Sequence, residues 1–366
     1  MKKIGIITIV HGENYGNRLQ NYALQNTLLD MGYKVETIRR NVYRSLLSQI
    51  KHTIYKYLKW NKQKKRKKLF KEFNAKYIYF SKTILYNRQT KQVRGIADYN
   101  AFVCGSDQIW NPNWSTNSDI DFLTFAPIEK RIAYAASFGV EEIPEKDIER
   151  YKKNLGELSH ISVREESGVK IIKDLTGIHV ETVLDPTMLV SSEQWKKIEN
   201  RPTQHNDQKY ILCYFLAGIS LEVKSRIKEY ATAKSVKTIW IDNPEYQESY
   251  EYGPCEFLYL IHNAEHIFTD SFHCTVFSII FQRQFDVFSR YMAGSKMNDR
   301  IVTLLCNCGI EKRYDRKMID DKEIDYFAIK RNIGQLVQVS LDYLKNSIDS
   351  VRKNDLSMER IGNDEK

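Results

Sequence analysis

A histidine inside Thr269 to Phe281, TDSFHCTVFSIIF, is the place where side-chain chemistry and backbone geometry are best able to act together. The apolar run before it, His266 to Phe268, reads as the end of a buried strand. Asp270 and Ser271 are residue types that open helices, because their oxygens accept from backbone N–H groups left without partners. Phe272, Val276 and Ile280 then recur at helical spacing. His273 is therefore expected in a helix's first turn, just past a strand's carboxyl end. Open α/β sheets bind ligands at that edge, and the helix N-terminus favours an anion there. A histidine so placed can touch a phosphate and give it a proton. It can equally do no more than cap its own helix.

Other charged candidates are weaker alone. Arg164 ends an expected strand, where it is either a surface ion pair or an anion clamp. Gly12 and Gly16 stand four apart after the first strand without forming GxGxxG, so that loop cradles a phosphate or simply makes a tight turn. Asp119 and Asp121 spell the DxD that some sugar transferases use to hold a metal, but they fall in a polar loop, and no metal is expected. The six cysteines form no CxxC pair and read as free thiols of a reducing compartment.

These groups need a framework, and the apolar runs supply one. Lys3 to Val10 is nearly continuous, as in a central parallel strand. Asn17 to Met31 carries Leu19, Ala23, Leu24 and Leu28 on one helical face. Lys34 to Arg40 is the next strand, giving a βαβ opening. Ala101–Ser106, Arg131–Gly139, His160–Glu165 and Val180–Pro186 continue the set. A polar stretch from Ser191 to Asp207 divides it from a second set: Tyr210–Leu216, Thr238–Asp242, the strand before His273, and Phe285–Ser289. The fold class is α/β, with residues 1–200 and 208–320 as two domains and 321–366 as a closing helix and frayed tail.

The chain has 366 residues, 42% of them hydrophobic, and a net charge of +10. Between Arg44 and Phe80, 12 Lys and Arg face one acid, Glu72, so this stretch holds +11 and the remainder about −1. Residues 43–75, read as a helical insert with interleaved aromatics, are a solvated arm or a peripheral contact with an anionic membrane. Nucleic acid is not an expected partner, since the rest of the chain supplies no recognition motif. No signal peptide and no apolar run near the roughly 20 residues of a membrane span is read, so a cytoplasmic protein is expected, at most resting on the membrane's inner face.

Six motifs in this order resemble the polysaccharide pyruvyl transferase family: Asn14–Gln25, Gly105–Pro112, Ile132–Gly139, Ile161–Gly168, Val183–Pro186 and the His273 stretch. The likeness runs from residue 1 to about Asp315. It implies two Rossmann-like domains facing a cleft, as in the glycosyltransferase B fold. It implies phosphoenolpyruvate as donor and co-substrate, and a pair of sugar hydroxyls as acceptor. The product is then a pyruvate ketal on a hexose of a surface polysaccharide or its lipid-linked precursor, with no cofactor. His273 becomes the general acid; the helix dipole disfavours its charged form and a bound phosphate favours it. Arg164, Ser271 and Phe272 become donor-binding. Family members commonly carry an Arg two residues before the histidine, where this chain has Ser271, so Lys296 or Arg300 is the expected second cation. Asn14, Asn17, Ser106, Gln108, Trp110 and Ser137 fall to the acceptor, with Trp110 stacking on a sugar, or they cap helices and fill the domain interface. Asp107 is the candidate base, and Asp185 shapes a turn. A nucleotide-sugar glycosyltransferase of the same fold, or a non-catalytic glycan- or membrane-binding protein, are the alternatives.

Overall fold

The computed structural model describes residues 1–41, 64–86, 95–203, 205, 208–243, 245–290, 299–316, 319 and 322–363. Two parallel sheets organise them. The first holds β1 (Lys3–Ile7), β2 (Lys34–Asn41), β3 (Phe80–Tyr86), β4 (Ala101–Cys104), β5 (Arg131–Ala136), β6 (His160–Val163) and β7 (Glu181–Thr182), in the order β3-β2-β1-β4-β5-β6-β7. The second holds β8 (Tyr210–Tyr214), β9 (Lys237–Ile241), β10 (His266–Thr269) and β11 (Gln284–Val287), in the order β11-β10-β8-β9. Strand order reverses beside β1 in the first sheet and beside β8 in the second. Such reversals open a crevice at the strands' carboxyl ends.

Ten α-helices occur among the described residues: α1 (Tyr15–Asp30), α2 (Lys64–Tyr77), α3 (Ile148–Gly156), α4 (Glu166–Thr176), α5 (Ser192–Lys196), α6 (Leu221–Ala233), α7 (Pro254–His262), α8 (Phe272–Ile280), α9 (Asp299–Cys308) and α10 (Tyr326–Asn363). α1 begins two residues before the expected Asn17, with the Asn14 side chain accepting from Asn17 N at 3.0 Å as its cap. It is not the one-sided helix its leucines suggest. Gln20, Asn21 and Gln25 are buried too, because α1 lies between the first sheet and the second domain. The glutamine amides are bonded inside, Gln20 to Thr8 at 2.7 Å and Gln25 to the Tyr77 carbonyl at 2.9 Å, as burial demands; Asn21 accepts from the Thr37 hydroxyl through Oδ1, while its Nδ2 has no partner.

β3 is a strand the apolar pattern does not disclose. It alternates, and its register with β2 slips between Thr37 and Arg39. The expected strand at Val180–Pro186 shortens to β7, because Leu184 N turns to the Ser340 hydroxyl and Asp185 caps a 3-10 turn that opens at Pro186.

Residues 42–63 of the basic segment lie outside the described residues. The rest forms α2, whose aromatic face is not free: Phe70 and Phe73 are 3% and 2% exposed, inside one apolar cluster with Tyr15, Leu19, Trp195 and Phe257. That cluster joins the domains. Tyr15 stacks on Phe257 with centroids 4.4 Å apart and donates its hydroxyl to the Tyr252 carbonyl at 3.0 Å. Buried Arg66 reaches Asp242 of the second domain at 2.6 Å. This part of the segment is therefore an interdomain strut, with Lys64, Lys65, Lys68 and Lys71 exposed on its outer side. α10 returns to the first sheet, burying Leu344, Ile348 and Val351 against Ile4, Ile6 and Leu28.

Candidate active site

A cleft of about 200 Å³ opens between the two sheets' carboxyl edges. Asn14, Gly16, Asn17, Asp107, Gln108 and Trp114 line one wall; Tyr214, Leu216, Ser271, Phe272, His273, Arg290 and Arg300 are on the other. Most of them end or follow a strand or open a helix, so backbone geometry delivers them together, while Trp114 comes from the longer loop after β4.

His273 sits in the first turn of α8, 7% exposed. Ser271 is the N-cap and accepts from Cys274 N at 3.4 Å. Asp270 does not share that task. Its carboxylate accepts from Leu216 N and Ala217 N at 2.7 and 3.2 Å, fixing the loop after β8, and burial pushes its pKa up. The first turn of α1 faces the first turn of α8 so closely that a Cβ built on Gly16 would lie 2.0 Å from His273 Nδ1. Two helix N-termini thus converge on one imidazole.

Behind them lies a buried ion network. Arg164 donates to Asp107 Oδ1 at 2.9 Å and to Asp185 Oδ2 at 2.7 Å, and its guanidinium lies 4.5 Å from the Phe272 ring centroid. It is only 4% exposed and stands behind the cleft, so it is not the open anion clamp expected: two carboxylates already occupy it. Asp185 Oδ2 lies 3.6 Å from His273 Nε2, too long for a hydrogen bond, and the pair is ionic only when the imidazole carries its second proton. Burial raises both carboxyls, but His273 and Arg164 outweigh it at Asp185, and Arg164, His273 and Arg300 outweigh it at Asp107. Both end below their usual range. Asp185 does shape its turn, accepting from Thr187 N at 3.1 Å. The sequence reading missed its second role, holding a negative charge against the histidine. A carboxylate at a strand end just before proline was the signal available.

Arg300 is differently placed. It is buried, its Nε has no hydrogen-bond partner, and its closest approach to a carboxylate is 3.9 Å, to Asp107. Burial, then neighbouring Arg164 and Arg290, push its pKa down to about 9, with Asp107 and Glu165 offsetting part. Guanidinium is a poor proton donor to water, so an anion completes this environment better than deprotonation does. Lys296 lies outside the described residues.

The acceptor candidates divide. Asn14, Asn17 and Gln108 line the cleft, and Asn17 Nδ2 donates to Asp107 Oδ2 at 2.5 Å. Asp107 is therefore held from both sides rather than free to act as a base. Trp110 is corrected: it is 0% exposed, stacks on Phe122 at 5.5 Å and donates Nε1–H to the Asp121 carbonyl. Apart from Ile109, its neighbours in the local sequence are mostly polar, which hid a core position. Ser106 and Ser137 are also fully buried; the Ser106 hydroxyl supports Asp185 at 2.8 Å. The DxD is consumed structurally, Asp121 pairing with buried Arg40 and Asp119 accepting from Asn154 at 3.0 Å. Among the described residues no three metal-ligating side chains converge. A wider cavity of about 430 Å³, near Lys209, Lys234 and His266, lies at the opposite edge of the second sheet, away from this chemistry.

A family model for polysaccharide pyruvyl transferase matches residues 14–290. No match among curated proteins is found. Among solved structures, the chain is similar to a protein from Listeria monocytogenes described as a UDP-N-acetylglucosamine 2-epimerase, with 10% identity, TM-score 0.50, and 96% of this chain and 90% of that one covered. It is similar to S. aureus MnaA, solved with UDP, at 11% identity and TM-score 0.50, covering 96% of this chain and 91% of that one. At such identities the likeness is one of fold, the two-domain α/β architecture of glycosyltransferase B type.

Proposed function

The chain belongs to the polysaccharide pyruvyl transferase family, and on that premise we propose that it moves the enolpyruvyl group of phosphoenolpyruvate onto a hexose of a surface polysaccharide or its lipid-linked precursor, forming a pyruvate ketal. The observation that carries this reading is the meeting of two helix N-termini and incompletely paired Arg300 around His273. A small anion bearing both phosphate and carboxylate suits that wall.

In this reaction His273 gives a proton to the donor's methylene carbon. The adjacent carbon becomes oxocarbenium-like and one sugar hydroxyl bonds to it, its proton returning to the imidazole. The second hydroxyl then forms the other C–O bond as the C–O bond to phosphate breaks, and its proton leaves with phosphate. The balance needs no redox cofactor and no metal. Asp185 orients the ring and faces it with negative charge, Arg164 holds Asp185 and Asp107 in place, and Arg300 meets the donor's phosphate or carboxylate. Preorganised charge of this kind is the usual main source of rate enhancement.

The acceptor is drawn to the first-domain wall. The exposed lysines of α2 suit peripheral contact with an anionic inner membrane face, each adding about 1 kcal/mol. With the aromatic face of α2 buried, that contact is electrostatic and salt-sensitive.

The test is phosphate release from phosphoenolpyruvate with a panel of simple and lipid-linked galactosides and glucosides, for wild type and His273→Ala. Acceptor-dependent release that the substitution abolishes supports the reading. UDP-sugar turnover, with no release from phosphoenolpyruvate, replaces it with glycosyl transfer.

A further inference from the structure

We infer that Trp114 is the platform on which a pyranose ring of the acceptor lies, an assignment that rests on the reading of the cleft given above. Four of the tryptophans fall among the described residues, and three are satisfied on both counts that matter to an indole. Trp110 has Phe122 and the Asp121 carbonyl. Trp195 packs edge-on to Phe277 at 4.9 Å and donates to the Thr187 carbonyl at 3.1 Å. Trp240 stacks on Tyr246 at 5.8 Å and donates to Thr238 at 3.2 Å. Trp114 is half-buried on the cleft wall, and among the described residues its indole has neither a ring partner nor a hydrogen bond.

The platform is held rigidly. Trp114 N donates to the Asn111 carbonyl at 3.3 Å, and the Trp114 carbonyl accepts from Asn117 N at 2.9 Å. The same loop is pinned by Trp110 in the core and by Arg40, which pairs with Asp121 and donates to the Thr116 carbonyl at 2.9 Å. Beside the indole, Asn14 and Gln108 offer amides, each able to donate and accept. Gln108 Nε2 is buried with no hydrogen-bond partner. The cations Arg290 and Arg300 stand on the opposing wall. A flat apolar face edged by amides fits an uncharged polyol ring, while the cationic wall fits the donor. A nucleobase also stacks on an indole, and the test separates the two.

Wild type, Trp114→Ala and Trp114→Phe are titrated with octyl β-galactoside, octyl β-glucoside, UDP and inorganic phosphate, following intrinsic fluorescence and, for phosphate, thermal stability. A glycoside is expected to shift wild-type emission. Trp114→Ala should weaken its affinity, and raise the acceptor KM, by roughly tenfold or more, the scale of losing one buried indole anchor. Trp114→Phe should stay within about threefold, because a phenyl face remains. Phosphate affinity and the KM for phosphoenolpyruvate should be equal in all three proteins. Unchanged glycoside affinity and acceptor KM in Trp114→Ala overturn the assignment, as does a loss confined to UDP or the absence of glycoside binding by wild type. Glycoside binding through Trp114, without phosphate release from phosphoenolpyruvate, supports the platform and defeats the donor reading instead.

Discussion

Replacing Gly16 with alanine perturbs the catalytic histidine without touching it chemically. In an ordinary helix this substitution stabilises by about 1 kcal/mol. Here the added Cβ would stand 2.0 Å from His273 Nδ1 and 2.5 Å from its Cγ. Non-bonded contacts prefer roughly 3.5 Å, so ring and helix must part by roughly 1.5 Å. His273 cannot easily yield, because its helix is buried and Asp185 stands at the far side of the ring. The domains must separate, or the imidazole must leave its rotamer. A displacement of about 1 Å at a reacting group can cost on the order of 100-fold in rate. Acceptor-dependent phosphate release should therefore show kcat lower by about 100-fold or more, with the protein still folded by circular dichroism. Gly334→Ala is the control: Gly334 is exposed in α10, nothing lies within 4 Å of its added Cβ, and it should stabilise by up to about 1 kcal/mol at full activity. Wild-type kcat in Gly16→Ala would refute the close approach of the two helix N-termini.

Arg300→Met should raise the KM for phosphoenolpyruvate at least about tenfold, yet leave the free protein's Tm unchanged or higher, since an incompletely compensated buried cation is gone. Phosphate should raise the Tm of wild type and not of this variant, and an equal rise in both would contradict the assignment. Asp107→Asn strips Arg164 of one anionic partner and should cost about 3 kcal/mol at pH 7 in urea unfolding. The Asp107 carboxyl is depressed in the fold, so its contribution is present above about pH 4, the unfolded value, and is lost as pH falls through the lower folded one. The variant's Tm should then fall less steeply than wild type's as the pH drops below about 4. Asp299 Oδ2 accepts from Ser167 N at 3.0 Å, capping α4 from the other domain. Asp299→Ala should cost about 1 kcal/mol and lower kcat by loosening Arg300, with Asp299→Asn restoring most of both.

The parts of this fold that sequence discloses are those where one local signal decides. The continuous run at β1, the serine before His273 and the strand-end position of Asn14 each carry their own physical reason. Environment-dependent features are hidden. Arg164 looks like a clamp until its two carboxylates, 57 and 21 residues away, are placed beside it. Trp110 and Trp114 stand four residues apart in one polar loop, and only packing shows which faces the core. α2 looks like a solvated or membrane-bound helix because the partners that bury Phe70 and Phe73 come from both domains.

α10 also has a bearing on how the chain is made. Leu344, Ile348 and Val351 are 0–2% exposed and complete the apolar layer over Ile4, Ile6, Leu24 and Leu28. Ser340 accepts from Leu184 N at 2.9 Å, and the Tyr343 hydroxyl donates to the Ala133 carbonyl at 3.1 Å. The last strand of the first sheet thus leaves the ribosome about 170 residues before its cover does. At typical rates of elongation that interval is roughly ten to thirty seconds. Throughout it, the apolar layer that α1 covers only in part stands unfinished, open to chaperones and to neighbouring nascent chains. The domain begun first is the one finished last.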